Sequence, residues 1–450
     1  MVGVKKQPIK RSARTRVVRF ENFSLVDRDK KGTLFGVDGR NCDCADGTIK
    51  TGLGLKNYLT PYEKTYVMES AAVRSFYLHR TKHSDGVYNN QLGYMLEDGK
   101  YYLYNHTTGA FVKTLVFGGA TNVVGVINAD LEVETLFIGG LGVTRYDPDR
   151  GYTRSILTKA GLANCVFHDR LFVVIEPFTV AYSKPLETLN FESTIDDSGK
   201  IHLPSAAGKI VAMKQLGNEI CIFYEYGITR LIPAGSARDF KQVPLAYAGG
   251  HVLGETVCEC GGKLFFLADD GVYTFDGKTL QKICQELNVK PTYSVQCGAA
   301  CVGDRVLIRY ADKVKGAVTL VLAADGKSGY FCSYLNGLSR TDQYAMCVAE
   351  GVVKYVDSDG DLYGSEEYCF QTECLDFGVV GKKNLKSLCF EGEGEMTVQV
   401  DDGQTVKQKA VKFIDGKAVV RMGLVGESFA LRFTLKKGAI VRKLAISYTA

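Results

Sequence analysis

The sequence contains no tryptophan and has few prolines and histidines. Nine Pro among 450 residues, without a low-complexity stretch, argue against long disordered regions. No apolar run approaches the ~20 residues of a membrane-spanning helix, and no continuous apolar stretch follows the basic N-terminus. We therefore expect a globular protein with neither a membrane partner nor a secretory signal.

The sequence motifs of common catalytic sites are also missing. There is no H-E-x-x-H, P-loop or G-x-S-x-G, and no G-x-G-x-x-G followed by a helix. His79 and His83 are four residues apart, but their segment has the pattern of a strand, where that spacing does not build a metal site. The lack of Trp and of the sialidase motif S-x-D-x-G-x-x-W weighs against a sugar-processing enzyme. We expect no catalytic residues and no cofactor.

Fourteen cysteines suggest metal binding or disulfides at first sight. Their spacings are C-x-C at Cys42/Cys44 and Cys258/Cys260, and C-x₃-C at Cys297/Cys301, which do not match zinc ribbons. Most of the others lie inside apolar runs, where cysteine behaves as a small hydrophobic residue. Reduced thiols in the core are the favoured interpretation.

One carboxylate cluster has the character of an ion site, at Asp357, Asp359 and Asp361. Three acidic residues on a tight turn offer oxygen ligands to Ca²⁺. The cluster fails the EF-hand pattern, because glycine stands fourth and the twelfth position is Tyr368. A plain hairpin turn is the favoured interpretation, with a metal site as the weaker alternative.

Strand–turn–strand units recur along the chain and predict the fold. The clearest is KLFFLADDGVYTFDGKTL at residues 263–280, in which apolar runs alternate with Asp-Gly turns. Similar units are anchored at Tyr102, Phe137, Phe172, Ile222, Phe265, Leu307 and Val353. A spacing of roughly 35–50 residues is typical of propeller blades. We predict an all-β fold with a β-propeller of about seven blades, within a range of six to eight.

Two changes in pattern suggest domain boundaries. Residues 1–65 are predicted to form an extended N-terminal arm and leading segment, residues 66–365 the propeller, and residues 366–450 a C-terminal β-sandwich of alternating strands. Within the first segment, Asp38-Gly39 and Asp46-Gly47 predict tight turns with positive φ. Residues 60–72 have the pattern of one short helix.

The net charge of +5 is concentrated at the N-terminus. Residues 1–19 contain no acidic residue and seven basic ones: Lys5, Lys6, Lys10, Arg11, Arg14, Arg16 and Arg19. Subtracting these seven charges leaves about −2 for the rest of the chain. Such a cationic arm can contact nucleic acid without base specificity or an acidic surface on a neighbouring protein; a solvated tail is the alternative.

Several segments in order resemble a group of phage proteins. They are residues 170–192 (RLFVVIEPFTVAYSKPLETLNFE), 208–232 (GKIVAMKQLGNEICIFYEYGITRLI), 255–288 (ETVCECGGKLFFLADDGVYTFDGKTLQKICQELN) and 432–449 (RFTLKKGAIVRKLAISYT). Together they are similar to the head–tail stabilisation or tubular proteins of the necks and tails of tailed bacteriophages. The basic arm and NCDCADG have no counterpart in that pattern.

The resemblance implies a structural role in the virion, assembled in the host bacterial cytoplasm. Such proteins form rings below the portal and seal the DNA exit channel. The expected partners are portal, adaptor or tail proteins and further copies of the chain in a homo-oligomeric ring. Two alternatives stay open: a propeller-type carbohydrate-active enzyme, which needs a pair of carboxylates at the channel mouth, and a glycan- or protein-binding module.

Overall fold

The structure is a computed structural model, and it describes residues 14–450 except for short gaps. The gaps are residues 29, 61–62, 68–72, 83–87, 118–120, 141, 148–150, 155–156, 158–159, 162, 193–196, 234–238, 246, 248, 293–296, 333–335, 342–343 and 363. Two 3₁₀ turns, Gly254–Thr256 and Gln285–Leu287, are the helical elements that the structure describes over their whole length. None of the described helices is long and apolar enough to cross a membrane.

The chain divides into two compact units. One is Leu53–Ser365, and the other combines the described residues up to Gly52 with Glu366–Ala450. Six short strands precede the repeats. They are β1 (Thr15–Phe20), β2 (Asn22–Ser24), β3 (Thr33–Arg40), β4 (Cys42–Asp43), β5 (Ile49–Thr51) and β6 (Gly54–Asn57).

The first unit is a seven-bladed β-propeller, as predicted. Blades 1–3 are four-stranded antiparallel meanders in which consecutive strands pair. Their strands are β7 (Val73–Lys82), β8 (Tyr88–Leu96), β9 (Lys100–Asn105) and β10 (Phe111–Val116); β11 (Thr121–Ile127), β12 (Val133–Gly139), β13 (Gly142–Asp147) and β14 (Gly151–Arg154); and β15 (Asn164–Phe167), β16 (Arg170–Glu176), β17 (Thr179–Tyr182) and β18 (Gly199–His202).

Blades 4–6 repeat the same plan. Their strands are β19 (Ile210–Leu216), β20 (Glu219–Tyr224), β21 (Gly227–Ile232) and β22 (Lys241–Leu245); β23 (Cys258–Cys260), β24 (Lys263–Ala268), β25 (Gly271–Phe275) and β26 (Leu280–Ile283); and, with the short β27 (Pro291–Thr292) beside β29, β28 (Gly298–Val302), β29 (Arg305–Asp312), β30 (Gly316–Ala323) and β31 (Gly329–Cys332). Each of the seven predicted anchor residues lies in a different blade, counting the seventh described next.

Blade 7 is closed by a strand from the other end of the unit. It contains β32 (Asn336–Thr341), β33 (Tyr344–Ala349) and β34 (Val352–Asp357), and its outermost strand is β6. Asp357 pairs with Gly54 and Lys354 with Asn57. The ring is therefore closed by a strand that precedes the first blade in the sequence.

The core of the propeller lies between the blades. Each of the five described apolar clusters takes side chains from two neighbours, namely blades 7 and 1, 1 and 2, 2 and 3, 3 and 4, or 4 and 5. Phe223 of blade 4, for example, meets Phe266 of blade 5 edge-on, with ring centroids 5.2 Å apart. A blade alone cannot bury both faces, so radial stacking completes the core.

The second unit is a β-sandwich whose strands come from both ends of the chain. Its C-terminal strands are β35 (Tyr368–Thr372), β36 (Lys383–Glu393), β37 (Glu395–Asp401), β38 (Val406–Lys412), β39 (Lys417–Gly426), β40 (Ala430–Leu435) and β41 (Ile440–Thr449). One sheet runs β39–β36–β41–β5–β4 with β1 along β41, and the other contains β3–β35–β40–β37–β38 with β2 along β3. Phe390 and Phe433, on opposite sheets, make an edge contact at 5.7 Å.

The predicted leading segment of residues 1–65 is therefore not one element. Strands β1–β5 belong to the sandwich and β6 to the propeller, because β1, β3, β5 and β6 pair with strands far along the chain. Strands β2 and β4 pair with their neighbours β3 and β5. The prediction of a turn at Asp38-Gly39 is wrong, since both residues lie inside β3. A Cβ on Gly39 would lie 2.3 Å from Leu25 Cδ1, so glycine here allows close packing and not a turn. Gly47 has the predicted positive φ of 79°.

Two further local predictions differ from the structure. The described part of the proposed helix at residues 60–72 is a turn closed by a bridge from Leu59 to Thr65, followed by a bridge from Val67 to Val352. The segment after Asp357 does not fold back on β34 as a hairpin, because β6 occupies that edge. In both places a partner distant in sequence replaces the local structure that the pattern favoured.

Candidate functional site

Strand β1 holds the described part of the predicted basic arm. It pairs antiparallel with β41, so that Arg16 lies opposite Tyr448 and Arg19 opposite Ala445. Arg14, Arg16 and Arg19 are all exposed. In the described part of the chain β41 is the only strand that pairs with β1. The side of β1 that faces away from β41 is a cationic sheet edge. Another chain can add a strand to such an edge, or an acidic group can bind there.

The other four predicted contact residues, Lys5, Lys6, Lys10 and Arg11, lie outside the described residues. Of the three arginines that are described, Arg16 and Arg19 lie on β1, and Arg14 directly precedes it. The alternative of a solvated tail does not hold for residues 15–19, because they pair with β41. No pattern in the sequence near the arm indicates that β1 pairs with β41.

A central cavity of about 610 Å³ lies where the seven blades meet. Residues at or just before the first strand of every blade line it, which is the arrangement expected when innermost strands surround a propeller axis. Arg74 of β7 and Glu255, just before β23, form an ion pair inside this cavity. The Arg74 side chain is only 10% exposed.

The Glu255 side chain is 38% exposed, and protein groups surround the rest of it. Burial raises the pKa of Glu255, and the guanidinium groups of Arg74 and the buried Arg309 act in the opposite direction. Arg74 and Glu255 are 181 positions apart, so no short-range sequence pattern indicates this pair.

The remaining charges of the cavity are basic. They belong to Lys209, Lys214 and Arg340, of which Lys209 is paired with Glu225 at 3.3 Å. Among the described lining residues Glu255 is the only carboxylate. A glycosidase-type mechanism needs two carboxyl groups flanking the bond. The described wall of this cavity contains one carboxyl group, that of Glu255, and it is ion-paired with Arg74.

The acidic cluster after β34 is used within the fold. Lys56 Nζ lies 2.7 Å from Asp357 Oδ1, and the backbone N–H of Asp359 donates to the same carboxylate at 2.8 Å. The N–H of Asp361 donates to the carbonyl of Leu55 at 3.0 Å. Within the part of the chain that the structure describes, no group of three or more His, Cys, Asp or Glu residues is placed to hold a metal ion.

His79 is buried between blades 1 and 2. Its Nε2 lies 2.6 Å from the Tyr101 hydroxyl and its Nδ1 lies 3.0 Å from Thr135 Oγ1. Burial lowers the pKa of His79 to about 3, so that the ring is neutral near pH 7. It acts as a structural polar link between blades. His83 lies outside the described residues.

A side pocket of about 620 Å³ between blades 2 and 3 was not anticipated from the sequence. Glu134 lies 3.1 Å from Arg145 and accepts a hydrogen bond from Thr188 Oγ1 at 2.6 Å. The long connection between β17 and β18 supplies one wall. The hydrogen bond from Thr188 to Glu134 anchors this connection to blade 2.

One face of blade 1 carries a group of aromatic side chains. Tyr94 and Tyr102 stack with ring centroids 5.0 Å apart, and Tyr104 meets Phe111 at 5.7 Å. Phe111 is 56% exposed. Tyr94 lies in the apolar cluster between blades 7 and 1, and Tyr102 and Tyr104 pack against that cluster, so Phe111 is the ring of this group that is largely exposed.

Comparisons with known proteins found similarity among solved structures and none in sequence. No protein-family model matches the chain, and no curated protein matches its sequence. Among solved structures it is similar to the crystal structure of the RRP9 WD40 repeats, with a TM-score of 0.43 and 8% sequence identity. The match covers 67% of this chain and 99% of the other. The propeller assignment rests on the seven sheets themselves and on the cavity that their first strands line.

Proposed function

We propose that the protein is a non-catalytic structural component of a tailed-bacteriophage virion. It works in the head–tail connection or the tail, where copies assemble in a ring with portal, adaptor or tail proteins around the DNA exit channel. The observation that carries the proposal is the exposed cationic edge of β1, which continues from a run of four further basic residues. Such an edge suits attachment to a neighbouring subunit.

Two further observations support this function. The sequence resemblance in residues 170–288 and 432–449 is to neck and tail proteins. The central cavity contains one described carboxylate, which is ion-paired, among otherwise basic side chains. That lining favours a scaffold over a carbohydrate-active enzyme, for which two free carboxyl groups are required.

The decisive experiment reverses the charge of β1. In a phage that encodes the chain, Arg14, Arg16 and Arg19 are replaced together by Glu, and gradient-purified particles are analysed by quantitative mass spectrometry. Like charges facing an acidic partner cost several kcal/mol, so incorporation should fall more than about tenfold. A second variant that lacks residues 1–13 separates the contribution of the preceding segment from that of the strand.

A matched control places the same charge change on the opposite edge of the sandwich. Lys409, Lys417 and Arg421 are exposed and lie on β38 and β39. Their replacement by Glu should leave incorporation within about twofold. Equal incorporation of both triple variants would overturn the role of β1, and absence of the wild-type chain from purified particles would overturn the proposed function itself.

A glycan-binding module is the second candidate function, and the aromatic face of blade 1 favours it. Exposed aromatic rings are the usual platform for a sugar face, and in this group the exposed ring is that of Phe111. Glycan-array screening of the wild-type chain and of F111A tests this alternative. Specific binding that F111A abolishes, together with absence of the chain from virions, would replace the structural proposal.

A further inference from the structure

Two cysteines from neighbouring blades lie side by side in the propeller. Cys260 ends β23 of blade 5, and Cys301 lies near the end of β28 of blade 6. Their Sγ atoms are 2.6 Å apart, although 41 residues separate them in sequence. For comparison, Cys301 Sγ lies 3.5 Å from the Gly303 carbonyl oxygen and Cys260 Sγ lies 3.7 Å from the same atom.

The surroundings hold the pair in place. Each cysteine precedes a tight turn, at Gly261–Gly262 in blade 5 and at Gly303 in blade 6, where the glycines have positive φ. The two blades approach closely here, since a Cβ on Gly261 would lie 3.4 Å from the Cβ of Ala324 in blade 6. An S–S bond of ~2.05 Å requires the sulfur atoms to move together by only about 0.5 Å.

The two thiols differ in access. Cys260 is fully buried, whereas Cys301 is half-buried. Burial, followed by the contact with Cys301, raises the pKa of the Cys260 thiol. A reagent in solution therefore meets Cys301 first, and Cys260 is placed to react only with its neighbour.

We propose that Cys260 and Cys301 form a disulfide bond that joins blades 5 and 6 when the protein meets a small-molecule disulfide. The Cys301 thiolate attacks one sulfur of the reagent RSSR, forms a mixed disulfide and releases RS⁻. Cys260 loses its proton and attacks Cys301 Sγ, which forms the bridge and releases a second RS⁻. Both thiolates take up the two protons lost by the cysteines, so two protein thiols and RSSR yield one bridge and two RSH. This inference does not depend on the function proposed above.

The test uses the full chain, purified reduced and then incubated with oxidised glutathione. Remaining thiols are alkylated, and non-reducing peptide mapping by mass spectrometry follows. The expected product links the tryptic peptide of residues 242–263 to that of residues 283–305 and has lost two hydrogens. The exposed Cys374 serves as an internal control, because it should gain a glutathione adduct and form no bridge.

Single variants identify the partners, since both peptides contain further cysteines. The link should persist in C258S, which alters the same strand two residues away, and disappear in C260S and C301S. Circular dichroism verifies that each variant is folded. If the wild-type peptides stay unlinked while Cys374 is modified, or if the link persists in C260S, the proposal is wrong.

A second readout is independent of peptide identity. A bridge between residues 41 positions apart restricts the unfolded chain, so the oxidised protein should unfold at a temperature about 5 °C higher than the reduced protein. C301S should show no difference between the two conditions. An equal shift in C301S would assign the effect to another thiol and overturn the assignment.

Discussion

The two units of this protein are built from the same kind of strand but in opposite ways. In the propeller, 27 of the 28 blade positions are filled by strands that pair with a neighbour in sequence, and β6 fills the last. In the sandwich, β1 pairs with β41 and β3 with β35, which join the two ends of the chain. All six histidines belong to the propeller, and the sandwich residues contain none. Because its strands pair locally, the propeller can be predicted from the sequence. The sandwich forms only when strands from both ends of the chain pair with each other.

The largest effect should come from the distant pairing of β6 with β34, which closes the propeller. Beside β6 the backbones of Gly54 and Gly360 pack closely against each other. A Cβ on Gly54 would therefore lie 2.3 Å from the Gly360 carbonyl oxygen. G54V should therefore destabilise the propeller by about 3 kcal/mol, since backbone atoms cannot yield as a side chain can. Hydrogen exchange followed by mass spectrometry should show lost protection in β6 and β34.

The control for this change is G262N. Gly262 lies in an exposed turn with positive φ and open space around it, which Asn tolerates. Its cost should stay below about 0.5 kcal/mol. Unchanged protection of β6 in G54V, or equal protection loss in β36 and β41, would break the contrast between the two units.

The second effect is acid sensitivity confined to the propeller. The folded-state pKa of His79 is lowered by burial to about 3, against 6.5 for the unfolded chain. The unfolded state therefore binds the proton more readily, and stability is lost as the pH falls below 6.5. The loss should reach about 2 kcal/mol at pH 5, a window in which ordinary carboxyl groups remain largely ionised.

Urea unfolding of the wild type and of H79Q between pH 7 and 5 measures this loss. H79Q should remove most of the slope, whereas the unfolding of the sandwich, which has no histidine, should change little. His106, whose pKa burial also lowers, acts in the same direction and leaves a smaller residual slope. A wild-type propeller with constant stability across this range would contradict the buried neutral ring.

The third effect concerns the sandwich edge. Removal of residues 1–20 deletes β1, and removal of residues 1–13 spares it. Because most side chains of β1 are exposed, its loss should cost about 1 kcal/mol, while the shorter deletion should leave stability unchanged. The longer deletion also leaves β41 without this partner, so we expect concentration-dependent association in sedimentation experiments. Identical behaviour of the two deletions would mean that the β1–β41 pairing contributes nothing.

The smallest effect is expected at the acidic turn. Calcium at millimolar concentration should shift the unfolding temperature by less than about 1 °C, because Lys56 and a backbone N–H already occupy the Asp357 carboxylate. A larger rise that D359N abolishes would restore the metal-site alternative.

The features that could be predicted from the sequence depend on nearby residues. Phe265 and the six other anchors lie in hairpins whose strands are joined by short turns. Each blade could therefore be predicted from the residues of its own segment. The pairing of β6 with β34 spans about 300 residues, and short-range patterns contain no trace of it. The same holds for the site, because 181 residues separate Arg74 from Glu255 and only the ring brings them together. Residues 366–450 were predicted to form a whole β-sandwich, whereas in the structure strands from residues 15–51 complete it through pairings that the sequence pattern does not show.

The position of β6 also bears on how the protein is made. The ribosome releases Gly54–Asn57 before any blade, but the strand that receives it, β34, follows about 300 residues later. At a translation rate of about 5–20 residues per second, β34 is synthesised about 15–60 s after β6. Blades 1–6 can form one after another in that interval, and β1 waits longer still, until β41 has been synthesised. Ring closure is therefore a late event of biogenesis, and a chain whose synthesis stops before Val352 is left with a solitary N-terminal strand and an open array of blades.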